Sequence, residues 1–583
     1  MNSKKYKDTL YEVREINNLK ELFTGSVDLF AHKAAYLVKE KPGGKYVPIK
    51  YLQVKEDVEC LGTGFYELGI KGEKIAVIGE NSYEWVMTYL AAVLGGNVIV
   101  PLDKELPANE AASLLVRARV SAVVYSKKCE KLINAAFAQM DEETLGGIRY
   151  KICMKEDHDR GSTDIDAVME AGRKALISGD RSFIEYETDS DAMCTLMFTS
   201  GTTGMAKGVM LSQRNIAANI YNLSKYIKIE DNGIGLSVLP MNHSYEMTCH
   251  ILTAIYQGKT VAICEGLKYI AKNMAEAQAT VMLGVPLVFE NIHKKIMKNA
   301  HSKGKAKKMI KMMERSKKYK LYNDYGLTRR IFKQVHEALG GQMRLFVVGG
   351  AAVNPKIVED FQALGITMIQ GYGMSENAPI IALNRDRYSK PASVGTALPG
   401  TEIRIESPND EGIGEIVIKG PSVMLGYYEN EEATAEAIKD GWLYTGDYGY
   451  FDDEGFLYIS GRKKSVIVTK NGKNIFPEEI EYVLGEADFI SEVLVYGELD
   501  EMTGDTFVKA EIYPDYAQIK EEFGKLTEEE IERLIKHIVS SVSDTLPPYK
   551  RITRVSIRDV EFEKTTTRKV KRNQKKLGKN IKN

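Results

Sequence analysis

Hydroxyls, glycines and one lysine crowd into a single stretch of the sequence, Thr199-Ser200-Gly201-Thr202-Thr203-Gly204-Met205-Ala206-Lys207-Gly208. These residue types suit an anion with several oxygens. Glycines let backbone N–H groups approach it, hydroxyls donate to it, and the Lys207 ammonium supplies charge. Apolar runs flank the stretch, Thr195-Leu196-Met197-Phe198 before it and Val209-Met210-Leu211 after it, so the pattern predicts a loop joining two strands. A P-loop instead opens a helix and reads G-x-x-x-x-G-K-[ST]. Here Ala206 stands five positions after Gly201 and Gly208 follows Lys207, so that pattern fails. Composition alone leaves a polar surface hairpin as the alternative.

Four further stretches hold residues that could do chemistry. Gln370-Gly371-Tyr372-Gly373-Met374-Ser375-Glu376 follows the strand-like Thr367-Met368-Ile369, at the end where open α/β sheets bind ligands. Tyr372 offers a ring face to a purine and Glu376 a hard oxygen ligand to Mg2+; a plain turn is the alternative. In Tyr444-Thr445-Gly446-Asp447 the carboxylate can accept from both hydroxyls of a ribose, or close an ordinary Asx turn. Gly461-Arg462-Lys463-Lys464 precedes Asn471-Gly472-Lys473-Asn474-Ile475-Phe476-Pro477-Glu478-Glu479-Ile480-Glu481, and the last stretch is Lys564-Thr565-Thr566-Thr567-Arg568-Lys569-Val570-Lys571-Arg572.

The elements that must position these residues come from a chain of 583 residues, which is more than one core sustains. With 44% hydrophobic and 27% charged residues it has the balance of a soluble globular protein. A net charge of −1 gives no overall attraction to nucleic acid. The six cysteines form no C-x-x-C pair and read as reduced core residues of a cytosolic protein, not as metal ligands. No signal peptide is seen behind Met1. The uncharged run Trp85 to Leu102 is long enough for a membrane span, but Gly95-Gly96 and Pro101 divide it into a helix and a buried strand.

Short apolar runs alternate with helical patterns through the first 390 residues or so, which predicts stacked α/β layers. The strand Lys74 to Ile78, the helix after it and Val98-Ile99-Val100 form one βαβ unit. Leu345 to Val348 ends at Gly349-Gly350-Ala351, and Asn354-Pro355 starts a helix. From about Pro391 short β segments separated by Gly and Pro predict a small β subdomain. Beyond Gly461 the pattern is α+β, with helices from about Pro477 and Thr527. The expected division is 1–461 for a large N-terminal domain and 462–583 for a small C-terminal one.

In this order, and at roughly these intervals, the five stretches resemble the motifs of the adenylate-forming superfamily of acyl-CoA synthetases, luciferases and peptide-synthetase adenylation domains. The resemblance covers about Ala76 to Arg572. One departure lies in the last motif, usually P-K-T-x-S-G-K, where Glu563, Thr567 and Arg568 replace the proline, serine and glycine. The resemblance implies ATP, Mg2+ and a thiol acceptor such as CoA. By it, Thr199, Ser200, Gly201, Thr202, Thr203, Gly204 and Lys207 would hold the β- and γ-phosphates. Gly350, Ala351 and Tyr372, with Gln370, Gly371, Gly373, Met374 and Ser375 around it, would form the adenine site. Glu376 and Ser200 would bind Mg2+. Asp447 would hold the ribose with Arg462 nearby, and Lys569 would bridge the acyl carboxylate and the α-phosphate. Lys464 would be the hinge of the C-terminal domain, and Gly472 would line the pantetheine tunnel.

His243 stands about where amino-acid-activating members carry an aspartate, and no carrier domain follows, so amino-acid activation is not expected. As a residue His243 is a buried, hydrogen-bonded ring; by the resemblance it borders the acyl site. Val285 to Ile292 and the long segment after it resemble long-chain fatty acyl-CoA synthetases. Medium-chain or aryl acids, transfer to acyl carrier protein, and a non-catalytic acyl-adenylate binding module are the alternatives. Within Lys294 to Arg330 stand fourteen basic residues and two acids. Interleaved Ile and Met make this in part a basic amphipathic helix. It is expected either to be a solvated insertion or to contact an anionic membrane peripherally, at the inner face of a cytoplasmic protein's membrane. Few aromatics and no recognised motif speak against nucleic acid.

Overall fold

The computed structural model describes residues 10–155, 162–199, 206–468, 474–499, 506–564, 570 and 572. The chain packs as two compact units, one of residues 1–402 and 419–443, the other of 403–418 and 444–583.

Among the described residues, two large sheets form the first unit. In one, the parallel strands Tyr150–Cys153, Ala122–Tyr125, Lys74–Ile78 and Val98–Leu102 lead to Met193–Thr199, which turns antiparallel onto Lys207–Ser212. In the other, Thr260–Ile263, Ile234–Ser237, Val281–Gly284, Leu345–Val348 and Thr367–Gly373 run parallel, and Ile380–Leu383 closes back antiparallel. The central strands read as continuous apolar runs because both faces are covered: Ile75, Ala76, Val77 and Ile78 are all 0% exposed. The uncharged run after Trp85 is the helix Tyr83–Leu94 followed by Val98–Leu102, with Gly96 at φ +74° making the turn. No described helix is long and apolar enough to cross a membrane.

The Thr367 strand does not end at Ile369. It runs on through Gly373, because Gly371 and Tyr372 pair with Leu383 and Ala382. Most of the second glycine motif is therefore strand, and only Ser375–Asn377 forms a short helical turn. The basic stretch is helical, in Pro286–Ser302, Ala306–Tyr319 and Tyr325–Ile331. Its apolar stripe, with Ile296, Met309, Met312 and Met313, packs on the core beneath the second sheet.

Glu402–Glu406, Gly414–Lys419 and Trp442–Phe451, which belong to the second unit except for Glu402, Lys419, Trp442 and Leu443, lie side by side, and Leu457–Arg462 pairs antiparallel with the last of them. Farther along, Ile490–Leu499 pairs antiparallel with Thr506–Pro514, which takes Arg554–Ile557 as a parallel neighbour. The helices Pro477–Gly485 and Glu528–Asp544 bury Ile480, Leu484, Ile535 and Val539 in one core with these strands. Thr527 caps the second helix in a reciprocal capping box with Glu530.

Candidate active site

Lys207 opens the second strand of its hairpin, directly opposite Thr199, so both stand where the two strands meet the loop between them. That loop, with Ser200, Gly201, Thr202, Thr203 and Gly204, lies outside the described residues. The Lys207 ammonium sits 4.6 Å from the centroid of the Tyr427 ring. The Tyr427 hydroxyl donates to Glu376 Oε1 at 3.0 Å. Ammonium, ring, phenol and carboxylate thus form one line joining the first motif to the second. Tyr427 belongs to the two-residue strand Gly426–Tyr427, which adds to the free side of the hairpin opposite Met210 and Val209. Two backbone bonds extend this docking, from Leu425 N–H to Met210 O at 2.9 Å and from Tyr428 N–H to Gly208 O at 2.7 Å. Burial, and then the Glu376 carboxylate, push the Tyr427 hydroxyl well above its usual pKa. The phenol therefore stays protonated and remains a donor.

Glu376 is set by its turn. Its carbonyl accepts from Met424 N–H at 2.9 Å. The hairpin that holds the turn is fixed from beneath by amides: Asn219 Nδ2 donates to Ile380 O at 2.9 Å and Asn377 Nδ2 to the same oxygen at 2.7 Å. Gly349, Gly350 and Ala351 leave the end of Leu345–Val348, the parallel neighbour of the Thr367 strand, so these loops emerge at one edge of the sheet. Gly350 has φ +84°, a left-handed conformation that glycine adopts without strain. Gly349 packs on Tyr245, whose hydroxyl donates to Val347 O at 3.0 Å. His243 is half-buried at the start of the turn Ser244–Glu246, and burial lowers its pKa. Behind it the chain enters a π-helical turn, Met247–Leu252, over the buried pair Glu246–His250 at 2.8 Å.

In the second unit Asp447 and Arg462 are cross-strand partners, with Arg462 Nε 2.8 Å from Asp447 Oδ1. Asp447 is 5% exposed, and its N–H donates to Thr445 Oγ1 at 3.1 Å. Gly446, at φ +71°, donates to Glu415 Oε1 at 3.2 Å, and the other oxygen of Glu415 holds Lys463 at 2.6 Å. That bond raises the Lys463 pKa. Lys464 is exposed in the short turn Lys463–Ser465 that follows the strand. Gly472 and Lys569 lie outside the described residues.

No described group of three or more His, Cys, Asp or Glu gathers as a metal site. Glu376 alone fits Mg2+, which takes one or two carboxylates and completes its octahedron with water and substrate phosphates. The cysteines are free and buried. Tyr427 and Glu415 are the site residues that the sequence reading missed.

A family model described as AMP-binding enzyme matches residues 26–428. The chain is 28% identical over 476 residues to the long-chain-fatty-acid–CoA ligase FadD15 of Mycobacterium bovis, covering 79% of this chain and 77% of that protein. It is 30% identical over 494 residues to long chain acyl-CoA synthetase 4 of Arabidopsis thaliana, covering 79% and 73%. Its fold matches the crystal structure of the anthranilate CoA ligase AuaEII in complex with anthranoyl-AMP, with a TM-score of 0.74 and 18% identity over 98% of this chain and 97% of that one.

Proposed function

The chain belongs to the AMP-binding enzyme family, and on that premise we propose that it is an ATP-dependent long-chain fatty acid–CoA ligase. It activates the acid as acyl-AMP with release of pyrophosphate and then transfers the acyl group to CoA, using ATP, Mg2+ and CoA as its relatives' activity requires. The line Lys207–Tyr427–Glu376 supports this reading, since it joins the lysine expected to grip phosphate to the carboxylate expected to bind Mg2+.

In the first step a carboxylate attacks the α-phosphorus of ATP, and both are anions. Lys569 offsets that repulsion in the transition state. Thr199 and Lys207, with Ser200 to Gly204, hold the β- and γ-phosphates. Gly350, Ala351 and the segment Gln370 to Ser375 form the adenine site, with Tyr372 against the ring. Asp447 and Arg462 take the ribose. Glu376 and Ser200 would hold Mg2+, which neutralises phosphate charge when bound. His243 borders the acyl chain. Acyl-AMP reacts with water, so the site must exclude it. Residues 462–583 turn about Lys464 between the two steps, bringing Gly472 to the pantetheine arm.

The test is pyrophosphate release with acids of increasing chain length, with and without CoA, and identification of the thioester by mass. Each methylene buried is worth about 0.8 kcal/mol, so kcat/KM should climb with chain length. A preference for medium-chain or aryl acids, or transfer only to acyl carrier protein, would replace the long-chain CoA reading. No release with any acid would leave a binding module. Lys569→Ala should lose roughly 2.7–4 kcal/mol of acyl-AMP formation while sparing thioester formation from supplied acyl-AMP.

The basic helices suggest where the lipid substrate is met. Lys303, Lys305, Lys307, Lys308 and Lys311 are all exposed, with Ile310 and Tyr319 beside them at 43% and 65% exposure. The apolar stripe is taken by the core, so the proposed contact is electrostatic: peripheral docking of a cytoplasmic protein on the anionic inner face of a membrane. Each lysine near such a surface contributes about 1 kcal/mol, screened by salt. Changing these five lysines to Gln should abolish salt-sensitive co-sedimentation with anionic liposomes. Equal sedimentation of both proteins would end the idea.

A further inference from the structure

Residues 565–569 lie outside the described residues, but both flanks of that segment are described, the first held on the strand Ile490–Leu499 and the second on that strand and the helix Pro477–Gly485. On the first flank Lys564 and Val570 form an antiparallel bridge. The Lys564 ammonium pairs with Glu492 on the strand Ile490–Leu499, and Phe562 N–H donates to the same carboxylate at 2.9 Å. On the second flank Arg572 closes a ring of three bonds. Its Nη1 donates to Val495 O at 3.1 Å, Val495 N–H donates to Glu481 Oε1 at 2.6 Å, and Glu481 Oε2 pairs with Arg572 Nη2. A second carboxylate, Glu478, stands 3.5 Å from the same guanidinium.

The ring is sheltered. Side-chain exposure is 17% for Glu481 and 29% for Arg572, so solvent screens the pair less than it would an open surface bridge. Glu481 projects from Pro477–Gly485, a helix seated on the strand whose edge Arg572 grips. Position 572 is three residues from Lys569.

We propose that Arg572, docked on Glu481 and Val495, is a positioning residue for acyl-AMP formation, fixing the flank from which Lys569 is presented. This rests on the reading of Lys569 as the adenylation lysine. Thioester formation, in which Lys569 takes no part, does not use the ring.

The ring carries its own titration. Burial pushes Glu481 up to about 7 although the Arg572 guanidinium opposes the shift, and the neighbouring Glu478 adds to it. Among the described residues, Arg572 and Glu478 are the charged groups acting on Glu481. The strand Ile490–Leu499 presents the Val495 backbone to it. The strand Leu457–Arg462 presents Gly461 to Glu478, and Glu528–Asp544 lends apolar side chains to the shared core. Ionised Glu481 holds Arg572 and protonated Glu481 releases it, so acyl-AMP formation should fall as pH drops through about 7.

The experiment uses the full chain with hexadecanoate, and separately with supplied hexadecanoyl-AMP and CoA, for the wild type, Arg572→Gln, Glu481→Gln, their double variant and Lys569→Ala. Arg572→Gln and Glu481→Gln should each slow acyl-AMP formation by about 10- to 100-fold, the scale of a small misplacement. Thioester formation should stay within about twofold, and the double variant should be no slower than either single one. Glu481→Gln should also lose the acid limb near pH 7, which a merely structural pair would not move. If Arg572→Gln fails to fold, the isosteric Glu481→Gln and its pH profile decide. The proposal is overturned if both half-reactions fall together, or if neither falls while Lys569→Ala loses only the first. If Lys569→Ala keeps acyl-AMP formation, the reading of Lys569 fails first and the proposal falls with it.

Discussion

Alanine at Gly373 would put a Cβ 2.2 Å from Pro379 O, 2.8 Å from Pro379 C and 3.0 Å from Ile380 Cα. Ordinary C···O contact is about 3.3–3.6 Å, so the two backbones would have to part by roughly 1 Å. None of the three atoms is the end of a flexible side chain. Pro379 O accepts from Met374 N–H at 2.9 Å, and Ile380 O holds both Asn219 and Asn377. Parting the strands strains or breaks these bonds, at about 1 kcal/mol net each, in line with the 1–3 kcal/mol usual for overpacking. Gly373→Ala should therefore lose about 2–4 kcal/mol of stability. It should also displace Glu376, three residues on, and depress acyl-AMP formation. Gly371→Ala is the control: its Cβ meets Leu383 Cδ1 at 2.7 Å, the tip of a side chain that can turn away, so it should lose about 1 kcal/mol or less. Gly350→Ala has room, with Val285 Cγ1 at 3.6 Å, but φ +84°; it should cost about 1–2 kcal/mol through backbone strain. Urea midpoints at unchanged m-value rank the three variants, and pyrophosphate release reads the site. A wild-type midpoint and rate for Gly373→Ala would refute the reasoning, as would a Gly371→Ala variant just as damaged.

Tyr427→Phe keeps the ring under Lys207 and removes the phenol from Glu376, so half-maximal Mg2+ in acyl-AMP formation should fall by up to about fivefold, the worth of one hydrogen bond; an unchanged or higher requirement contradicts competition between phenol and metal. Lys464→Pro fixes φ at the hinge and should spare pyrophosphate release while blocking CoA-dependent turnover, and wild-type turnover would remove Lys464 from that role. Asp360 accepts from His293 at 3.1 Å and from Lys317 at 3.0 Å, and these two bonds hold its pKa below the usual value against the effect of burial. A depressed carboxylate pKa gives stability that is present above the unfolded value near pH 4 and lost as pH falls through the folded one; Asp360→Asn should cost about 1–3 kcal/mol at pH 7 and flatten the acid limb of the stability curve, and equal curves would show that this pairing adds nothing.

What could be read from the chain was what lies close together in it. The Thr199–Lys207 hairpin was legible because both of its strands are written beside the loop. The helix after Leu345–Val348 was legible from Asn354 and Pro355, and Asn354 indeed caps it, accepting from Lys356 N–H. Tyr427 was not legible. It reaches Glu376 from 51 positions away through a two-residue strand, too short to leave a periodic pattern. Glu415 stands in a strand that the pattern shows, but its partners Gly446 and Lys463 lie 31 and 48 positions away, so nothing local marks it as a site residue. The Thr367 strand reads as ending at Ile369 because its extension depends on Ile380–Leu383 folding back. The basic stretch shows the other limit. Its periodicity identified an apolar face, but not that the protein's own core would occupy it.

The chain enters and leaves the first unit more than once, returning to it for residues 419–443. Ribosomes deliver residues in order, at about 5–20 per second. The Lys207–Ser212 strand therefore waits for Gly426–Tyr427, its partner on the outer side, on the order of ten to forty seconds after its own synthesis. For that interval the nascent hairpin is an open sheet edge, the kind of surface that chaperones guard and that neighbouring chains on a polysome can pair with. A fragment cut at Glu402 would make the interval permanent and should collect as inclusion bodies, whereas one carried through Leu443 brings its own edge cover with it.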